Sequence, residues 1–192
     1  MARVKRNIIT QGISGSLDRK ITFKHYGDTT IITSFPDRSK VKLTKNQKKE
    51  NSKFREAMAY AKRQMADPVA KAEYKARAKG LQKPHNVAIA DFYNPPEIKH
   101  IDVTSFHGQK NDKITVHAVD DFKVVKVTLE IANSEGTLLE KGDAIQKNRL
   151  KWEYKIISEP GDCKEFKILA YAYDKPGNIT NSETIIKLTN SI

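Results

Sequence analysis

The segment FKILAYAYDKPGN, residues 166–178, decides the fold of the C-terminal half. Its apolar residues alternate with others from Phe166 through Ile168 and Ala170 to Ala172, which is the period-two pattern of a strand with one buried face. The Pro-Gly pair that follows, Pro176-Gly177, is a strong turn signal. We therefore predict a strand that ends in a tight turn.

The same alternation extends outward on both sides of this segment. Strands are predicted around Ile114–Ala118, Val125–Ile131, Leu150–Ile156 and Thr184–Leu188. A first strand near residues 98–105 and a short one near 137–140 bring the number to about seven in residues 97–192. Several short strands separated by turn signals are typical of an antiparallel β-sandwich. Trp152 falls on an inward-facing position, so we expect it to be buried between the sheets.

The residues in these strands carry a resemblance to a known class of domain. Ala118-Val119-Asp120-Asp121, Trp152-Glu153-Tyr154 and the segment 170–178 resemble bacterial immunoglobulin-like domains of the fibronectin type III kind. The match covers roughly residues 97–190 and implies an Ig-like sandwich. Antibody-type domains are excluded, because the chain has one cysteine and cannot form their disulfide.

A β-hairpin is predicted near the N-terminus. Residues 20–26 and 29–35 are rich in β-branched and aromatic side chains, and Gly27-Asp28 between them is a typical two-residue hairpin connector. This register places Phe23 opposite Ile32 and Lys24 opposite Ile31. Residues 1–18 before the hairpin are predicted to form an irregular arm, because the segment Gly12-Ile13-Ser14-Gly15-Ser16 is too flexible for a helix or a strand.

Two helices are predicted after the hairpin. Thr44 and Gln47 have the spacing of a capping box, and an apolar stripe follows at helical spacing: Phe54, Ala57, Met58, Ala61 and Met65. Asp67-Pro68 has the form of a cap that opens a second helix. That helix is expected to carry an apolar side and to stop at Gly80; the side consists of Val69, Ala72 and Ala76.

The whole chain is therefore predicted to have an α+β fold. A basic module of arm, β-hairpin and two helices occupies residues 1–81. Residues 82–96, with three prolines, are predicted to be a linker. The Ig-like β-sandwich of about seven strands occupies residues 97–192.

The N-terminal half resembles, more distantly, short bacterial proteins of unknown function with a Gly-x-x-Gly arm, a hairpin that ends in proline and a helix opened by Thr-x-x-Gln. The matching residues are Gly12, Gly15, Leu17, Ile31, Ile32, Pro36, Thr44, Gln47 and Phe54. This resemblance implies no activity.

Charge distribution is the clearest functional signal. The chain carries a net charge of +12, but residues 1–85 contain 21 Lys and Arg against 7 Asp and Glu. Such asymmetry indicates an anionic partner, nucleic acid above all, because Lys and Arg that neutralise phosphates release counterions. The predicted polyanion-binding residues are Arg3, Lys5, Arg6, Lys20, Lys24, Lys48, Lys49, Arg55, Lys62 and Arg63. Bases can stack on the interleaved aromatic residues, which are Phe23, Tyr26, Phe35, Tyr60 and Tyr74. The alternative is a solvated helical face with these rings in a core.

A second candidate site is acidic. In an Ig-like sandwich, the loop with Asp120 and Asp121 and the loop with Asp174 lie at the same end. Three carboxylates there can coordinate a hard cation such as calcium. The alternative is that each Asp caps its own turn.

The sequence indicates no enzyme. The five histidines are dispersed, and no nucleophile, zinc or nucleotide-binding motif is present. A single cysteine, Cys163, and the lack of a signal peptide or a long apolar run favour a cytoplasmic protein. We therefore expect a non-catalytic binding or assembly protein without a cofactor, which binds a polyanion through its basic module and proteins through its sandwich. The alternative is a structural subunit of a phage-like particle, injection device or filament, assembled through the arm, the hairpin and sandwich edges.

Overall fold

The computed structural model describes residues 2–5, 8, 10, 12–26, 29–37, 42–159 and 163–188. These residues form three helices and twelve strands in three antiparallel sheets, which is an α+β fold. The chain divides into two compact units, residues 1–49 and 50–192. Among the described helices none is long and apolar enough to cross a membrane.

The first unit contains a four-stranded sheet with the order β1-β4-β3-β2. Its strands are β1 (Ala2–Lys5), β2 (Gly15–Leu17), β3 (Ile21–Tyr26) and β4 (Thr29–Ser34). The predicted hairpin register is confirmed, since Phe23 pairs with Ile32 and Lys24 with Ile31. Its connector, Gly27-Asp28, lies outside the described residues.

The prediction of an irregular arm was wrong for the two short segments that form β1 and β2. Each pairs with an otherwise open edge of the hairpin: β1 with β4, and β2 with β3. Backbone amides and carbonyls at an open edge need partners. In β2 that requirement outweighs the weak strand propensity of Gly15 and Ser16. The residues of β1, Ala2–Lys5, contain no glycine or serine that would oppose a strand.

Helix α1 spans Lys45–Ala66 and begins at the predicted capping box. The Thr44 amide donates to Gln47 Oε1 at 2.9 Å, and the Gln47 amide donates to Thr44 Oγ1 at 3.2 Å. The predicted apolar stripe is only partly buried. Ala57 and Ala61 are in the core, whereas Phe54 is 49% exposed and Met58 39% exposed.

Helix α2 spans Pro68–Arg77, and Asp67 caps it as predicted by accepting from the Val69 amide at 2.9 Å. The apolar side predicted for it was wrong: Val69, Ala72 and Ala76 are exposed. The buried positions are Ala70 and Tyr74. A buried tyrosine ring removes far more apolar area from water than an alanine, and it therefore sets the orientation of the helix.

The linker prediction for residues 82–96 missed a third helix, α3 (Pro84–Tyr93). Pro84 stands at its first position, where proline is tolerated because that amide has no helical partner. Residues of α1, α2 and α3 form a small core together with Phe122 from the following β-rich part. Its buried members are Tyr60, Ala61, Tyr74, Ala88 and Phe122.

Residues 97–187, which we call the two-sheet region, contain eight described strands. These are β5 (Glu97–Asp102), β6 (Lys113–Val119), β7 (Val124–Asn133), β8 (Leu138–Asp143), β9 (Ile145–Gln146), β10 (Lys151–Lys155), β11 (Glu165–Asp174) and β12 (Ile179–Lys187). One sheet has the order β5-β6-β10-β9 and the other β12-β11-β7-β8. The two-residue strand β9 was not predicted.

Both sheets contribute to one apolar core, which most of the predicted period-two positions fill. Val125, the first of the positions predicted to face inward on β7, is instead 44% exposed. The pairing with β11 is irregular there, since Tyr173 pairs with Lys126 and Asp174 with Val124. Ile114 and Val116 of one sheet, and Leu129, Phe166 and Ile168 of the other, are at most 1% exposed. Trp152 is 5% exposed within this core, which confirms its predicted burial. Leu150, predicted on the same face, is 48% exposed and lies outside the strand.

The helices and the two-sheet region are connected by specific polar contacts within the second unit. Arg77 donates to the Phe122 carbonyl at 2.7 Å. Asn178 Nδ2 donates to the Phe92 carbonyl at 3.2 Å. Lys175 Nζ lies 2.5 Å from a carboxylate oxygen of Glu73. Each contact joins a helix to a loop at one end of the two sheets.

Candidate functional site

The basic residues of α1 are exposed, and so are Lys71 and Lys75 of α2, whereas Arg77 is half-buried. Arg55 and Lys62, which lie seven residues apart, are turned away from the buried Ala57 and Ala61. All the predicted binding residues of α1 are solvent-exposed; these are Lys48, Lys49, Arg55, Lys62 and Arg63. Four further cations are exposed as well: Lys53 in α1, Lys71 and Lys75 in α2, and Lys79 just after α2. The helices thus present basic side chains over much of their length.

These helical cations are not neutralised by neighbouring carboxylates. Among the described residues, no Lys or Arg of α1 or α2 has an ion pair with Asp or Glu within 4.0 Å. Glu73, on α2 itself, is occupied by Lys175 at 2.5 Å and by Lys123 at 4.0 Å, both from the two-sheet region. Unpaired cations close together raise the local potential, which attracts anions.

The N-terminal sheet places part of the predicted set on one face. Arg3 and Lys24 both pair with Ile31, from opposite sides of β4, so they share a face of the sheet. Tyr26, two residues beyond Lys24, belongs to that face and is 62% exposed.

The structure says less about the other predicted binding residues of this unit, which are Lys5, Arg6 and Lys20. Lys20 forms a salt bridge with Asp18 at 2.8 Å. Lys5 lies in β1 opposite Thr29. Arg6 lies outside the described residues.

Two aromatic residues predicted to stack on bases cannot do so. Tyr60 is 5% exposed and Tyr74 is not exposed at all. Their rings are occupied inside the protein, Tyr74 by stacking on Phe122 at a centroid distance of 4.1 Å and Tyr60 by packing on Phe92 at 5.7 Å. Tyr26 and Phe35, at 62% and 41% exposure, are free to contact bases.

The two buried tyrosines belong to a polar network that the sequence did not reveal. The Tyr60 and Tyr74 hydroxyls are 2.7 Å apart, and Tyr74 donates to Asp91 Oδ2 at 2.5 Å. The Tyr60 hydroxyl is also 3.4 Å from the same oxygen. The network joins one residue from each of the three helices. A signal for it was present: Asp91 is the lone charged residue of the otherwise apolar segment 87–93.

Asp91 has an unusual environment for a carboxylate. It is completely buried. Burial raises the pKa of Asp91 to about 7; the hydrogen bond from Tyr74 opposes this shift, while the charges of Asp120, Asp174 and Asp121 add to it. Burial also raises the pKa of Tyr74, with a further contribution from its hydrogen bond to Asp91.

The acidic end is arranged differently from the predicted metal set of Asp120, Asp121 and Asp174. Asp174 is 3% exposed and caps its own turn: its Oδ1 accepts from the Gly177 and Asn178 amides at 2.8 and 2.6 Å. Gly177 adopts a positive φ of 100° in this turn, which favours glycine. Asp120 and Asp121 instead come together with Asp91, and carboxylate oxygens of the three lie within 4.8 Å of one another.

A cavity of about 460 Å³ lies between α2 and the two-sheet region, next to this acidic group. Its lining contains Phe122 and side chains of both charges: Glu73 and Asp120 are acidic, and Arg77, Lys123 and Arg149 are basic. The burial of Asp120 raises its pKa, although its Oδ2 accepts from the Phe122 and Lys123 amides at 3.0 and 2.6 Å.

Comparison with known proteins places the chain in no family. No family model and no curated protein matches it. One of the similar solved structures is the crystal structure of an engineered protein, which is 20% identical. The match covers 48% of this chain and 20% of that one with a TM-score of 0.38. A likeness of this size carries no argument about function.

Proposed function

We propose that the chain is a non-catalytic binding and assembly protein. Its basic helices and N-terminal sheet engage a polyanion, nucleic acid in the first place, and an Ig-like domain over residues 97–187 makes protein contacts. The observation that carries this proposal is the set of exposed cations on α1 and α2, which have no carboxylate within ion-pair distance in the described ranges of the chain.

The distribution of charge supports a phosphate-rich partner. Binding to a phosphate chain needs cations that are free to exchange their hydration and counterions for phosphate oxygens. Arg55, Lys62 and Arg63 on α1 meet this requirement, since all three are exposed and have no acidic partner among the described residues. A lysine already paired with a carboxylate, such as Lys141 with Glu130, contributes little net field.

The strand order supports an Ig-like domain. Labelled in chain order from A, with the fourth strand as C′, the sheets read A-B-E-D and G-F-C-C′. Ig-type sandwiches divide their strands between two sheets in this way. Exposed apolar residues offer contact points for a protein partner, among them Ile179 and Ile185, each 57% exposed, on the edge strand β12.

A structural subunit is the second candidate, and one observation favours it. Leu17 is 62% exposed and Ile21 39% exposed on the apolar face of the N-terminal sheet. The edge strands β1 and β2 each have an edge with no strand partner among the described residues. A strand of a second copy could extend such an edge by backbone hydrogen bonds. In that case the lysines of α1 form a solvated surface between assembled subunits.

One experiment separates the two candidates. Size-exclusion chromatography with light scattering, with and without single-stranded DNA or RNA at low salt, reports both self-association and complex formation. The polyanion proposal requires a complex that dissociates as salt rises and that forms with oligonucleotides of any sequence. A defined oligomer that ignores nucleic acid even at low salt would refute it and favour the structural subunit.

A further inference from the structure

Three carboxylates from separate parts of the chain meet at one end of the two-sheet region. Asp91 comes from α3, and Asp120 and Asp121 come from the loop between β6 and β7. Carboxylate oxygens of the three approach within 4.8 Å of one another. This spacing suits oxygens that surround one cation at 2.3–2.6 Å.

The hydrogen bonds of these carboxylates leave a specific set of oxygens free. Oδ2 of Asp91 accepts from Tyr74, Oδ2 of Asp120 accepts from two backbone amides, and Oδ2 of Asp121 accepts from Asn94 at 2.8 Å. Oδ1 of Asp91 and Oδ1 of Asp120 are buried and have no hydrogen-bond partner in the part of the chain that the structure describes. Asp91 is 0% exposed, and a buried acceptor with no partner is costly.

The lysines of the two neighbouring loops, Lys123 and Lys175, do not compensate for this charge. Lys175 pairs with Glu73 at 2.5 Å and lies over the rings of Tyr74 and Phe122, at 5.2 and 5.6 Å from their centroids. Lys123 is directed to Glu73 as well, at 4.0 Å. The group of three carboxylates therefore contains two buried oxygens without a hydrogen-bond partner, and no described basic side chain forms an ion pair with any of the three.

We propose that Asp91, Asp120 and Asp121 bind a divalent calcium ion. The ligands are all oxygens, which hard cations prefer. A set of three carboxylates suits Ca²⁺, which accepts flexible coordination, better than Mg²⁺, which demands a near-ideal octahedron and is usually held by one or two carboxylates. Water completes the six to eight ligands that Ca²⁺ takes. Water can reach the site, because Asp121 is exposed and Asp120 lines the cavity of about 460 Å³.

Such an ion would act as a structural clamp. It would tie α3 to the loop between β6 and β7, where Asn94 and Asp121 already make a hydrogen bond. Through Asp91 it would also stabilise the Tyr60–Tyr74 pair and hence the packing of all three helices. The inference is independent of polyanion binding, since the ion would affect the packing of the helices and not the basic side chains on their exposed surface.

The full-length chain, stripped with a chelator, is the material for the test. Adding Ca²⁺ at about 100 times its dissociation constant should raise Tm by about 5–11 °C, because an ion that binds only the folded state stabilises it by mass action. Tb³⁺, a luminescent substitute for Ca²⁺, should show emission on tyrosine excitation and be displaced by Ca²⁺, since Tyr74 lies beside Asp91.

Two variants decide whether these three residues form the site. Asp121→Ala should fold, because Asp121 is exposed, and should lose most of the Ca²⁺-dependent Tm shift and the Tb³⁺ emission. Glu135→Ala removes another exposed carboxylate, in the turn between β7 and β8, and should keep both the Tm shift and the Tb³⁺ emission. No Tm shift and no Tb³⁺ emission in the wild type would overturn the proposal, as would an undiminished response in Asp121→Ala.

Discussion

The lysines of the two-sheet region and those of the helices differ in what surrounds them. Nine lysines of the two-sheet region lie within 4.0 Å of a carboxylate: Lys99, Lys113, Lys123, Lys126, Lys141, Lys147, Lys167, Lys175 and Lys187. None of the described cations of α1 and α2 does. Exposed ion pairs add little to stability, so this difference concerns the surface field. Charge is neutralised locally in one region and left available in the other.

The interiors of the two regions differ as well. The two-sheet core is apolar and filled by alternating strand residues such as Val116, Leu129 and Ile168. The helices pack around a polar group, in which Tyr60, Tyr74 and Asp91 share hydrogen bonds. An apolar core depends on the shapes of its side chains. A buried polar network depends on every hydrogen-bond partner being present.

The largest effect is expected from the two-sheet core. Trp152→Ala removes a 5% exposed side chain and leaves a cavity, so it should lower the free energy of unfolding by about 3–5 kcal/mol. Urea titration followed by circular dichroism measures the change. Leu150→Ala, at a 48% exposed neighbouring position, is the matched control and should lose less than about 1 kcal/mol. Equal losses would mean that Trp152 does not anchor this core.

A smaller loss is expected at the helical network. Tyr74→Phe keeps the stacking on Phe122 but removes the hydroxyl that donates to Asp91, so it should reduce stability by about 1–3 kcal/mol. Tyr171→Phe is the control, since its hydroxyl bonds to Glu130 at 3.1 Å in a more exposed setting. If Tyr74→Phe is as stable as the wild type, the network does not hold the helices.

Glu140 should give the two-sheet region a measurable sensitivity to acid. Burial would raise the pKa of Glu140, but hydrogen bonds from Ser158, Tyr154 and the Ile157 amide outweigh it and lower the pKa on balance. A lowered carboxyl pKa stabilises the fold above the unfolded value of about 4.3, and this contribution disappears as pH falls through the folded value. The wild type should therefore lose stability as the pH falls below about 4.3. Glu140→Gln cannot titrate at this position and should lose less stability over the same range. The same decrease in stability at acid pH in the variant and in the wild type would contradict this role.

The smallest effect on stability is expected on the basic helix surface. The triple variant Arg55→Gln, Lys62→Gln and Arg63→Gln removes no ion pair and keeps good helix formers, so stability should change by about 0.5 kcal/mol or less. Thermal unfolding at low and high salt checks this. A loss of several kcal/mol would show that these side chains belong to a packing interface.

Local patterns predicted the parts of the fold in which short-range physics decides the outcome. The hairpin register, with Phe23 opposite Ile32, follows from a two-residue connector, and the caps at Thr44 and Asp67 follow from side chains that bond neighbouring amides. The strands around Trp152 and Phe166 follow from period-two burial.

The sequence could not give what depends on distant partners. Strand β1 forms only because β4 offers an edge, and α3 was obscured by flanking prolines that in fact begin and follow a helix. Tyr60 and Tyr74 have the same sequence context as exposed aromatic residues among lysines. They form a buried network with Asp91 of α3, and only tertiary packing brings the three residues together.

The most direct test compares two variants with the same net charge. One is the helix triple Arg55→Gln, Lys62→Gln and Arg63→Gln, and the other replaces three paired lysines of the two-sheet region, Lys126, Lys141 and Lys167, by Gln. The measurement is the affinity for a single-stranded oligonucleotide across a series of salt concentrations. If the unpaired helix cations bind phosphate, the helix triple should bind more weakly, with a salt slope shallower by about 0.7 for each lost phosphate contact, while the two-sheet triple should keep the wild-type slope. Equal weakening of both variants, or a wild type that does not bind, would contradict phosphate binding by these cations.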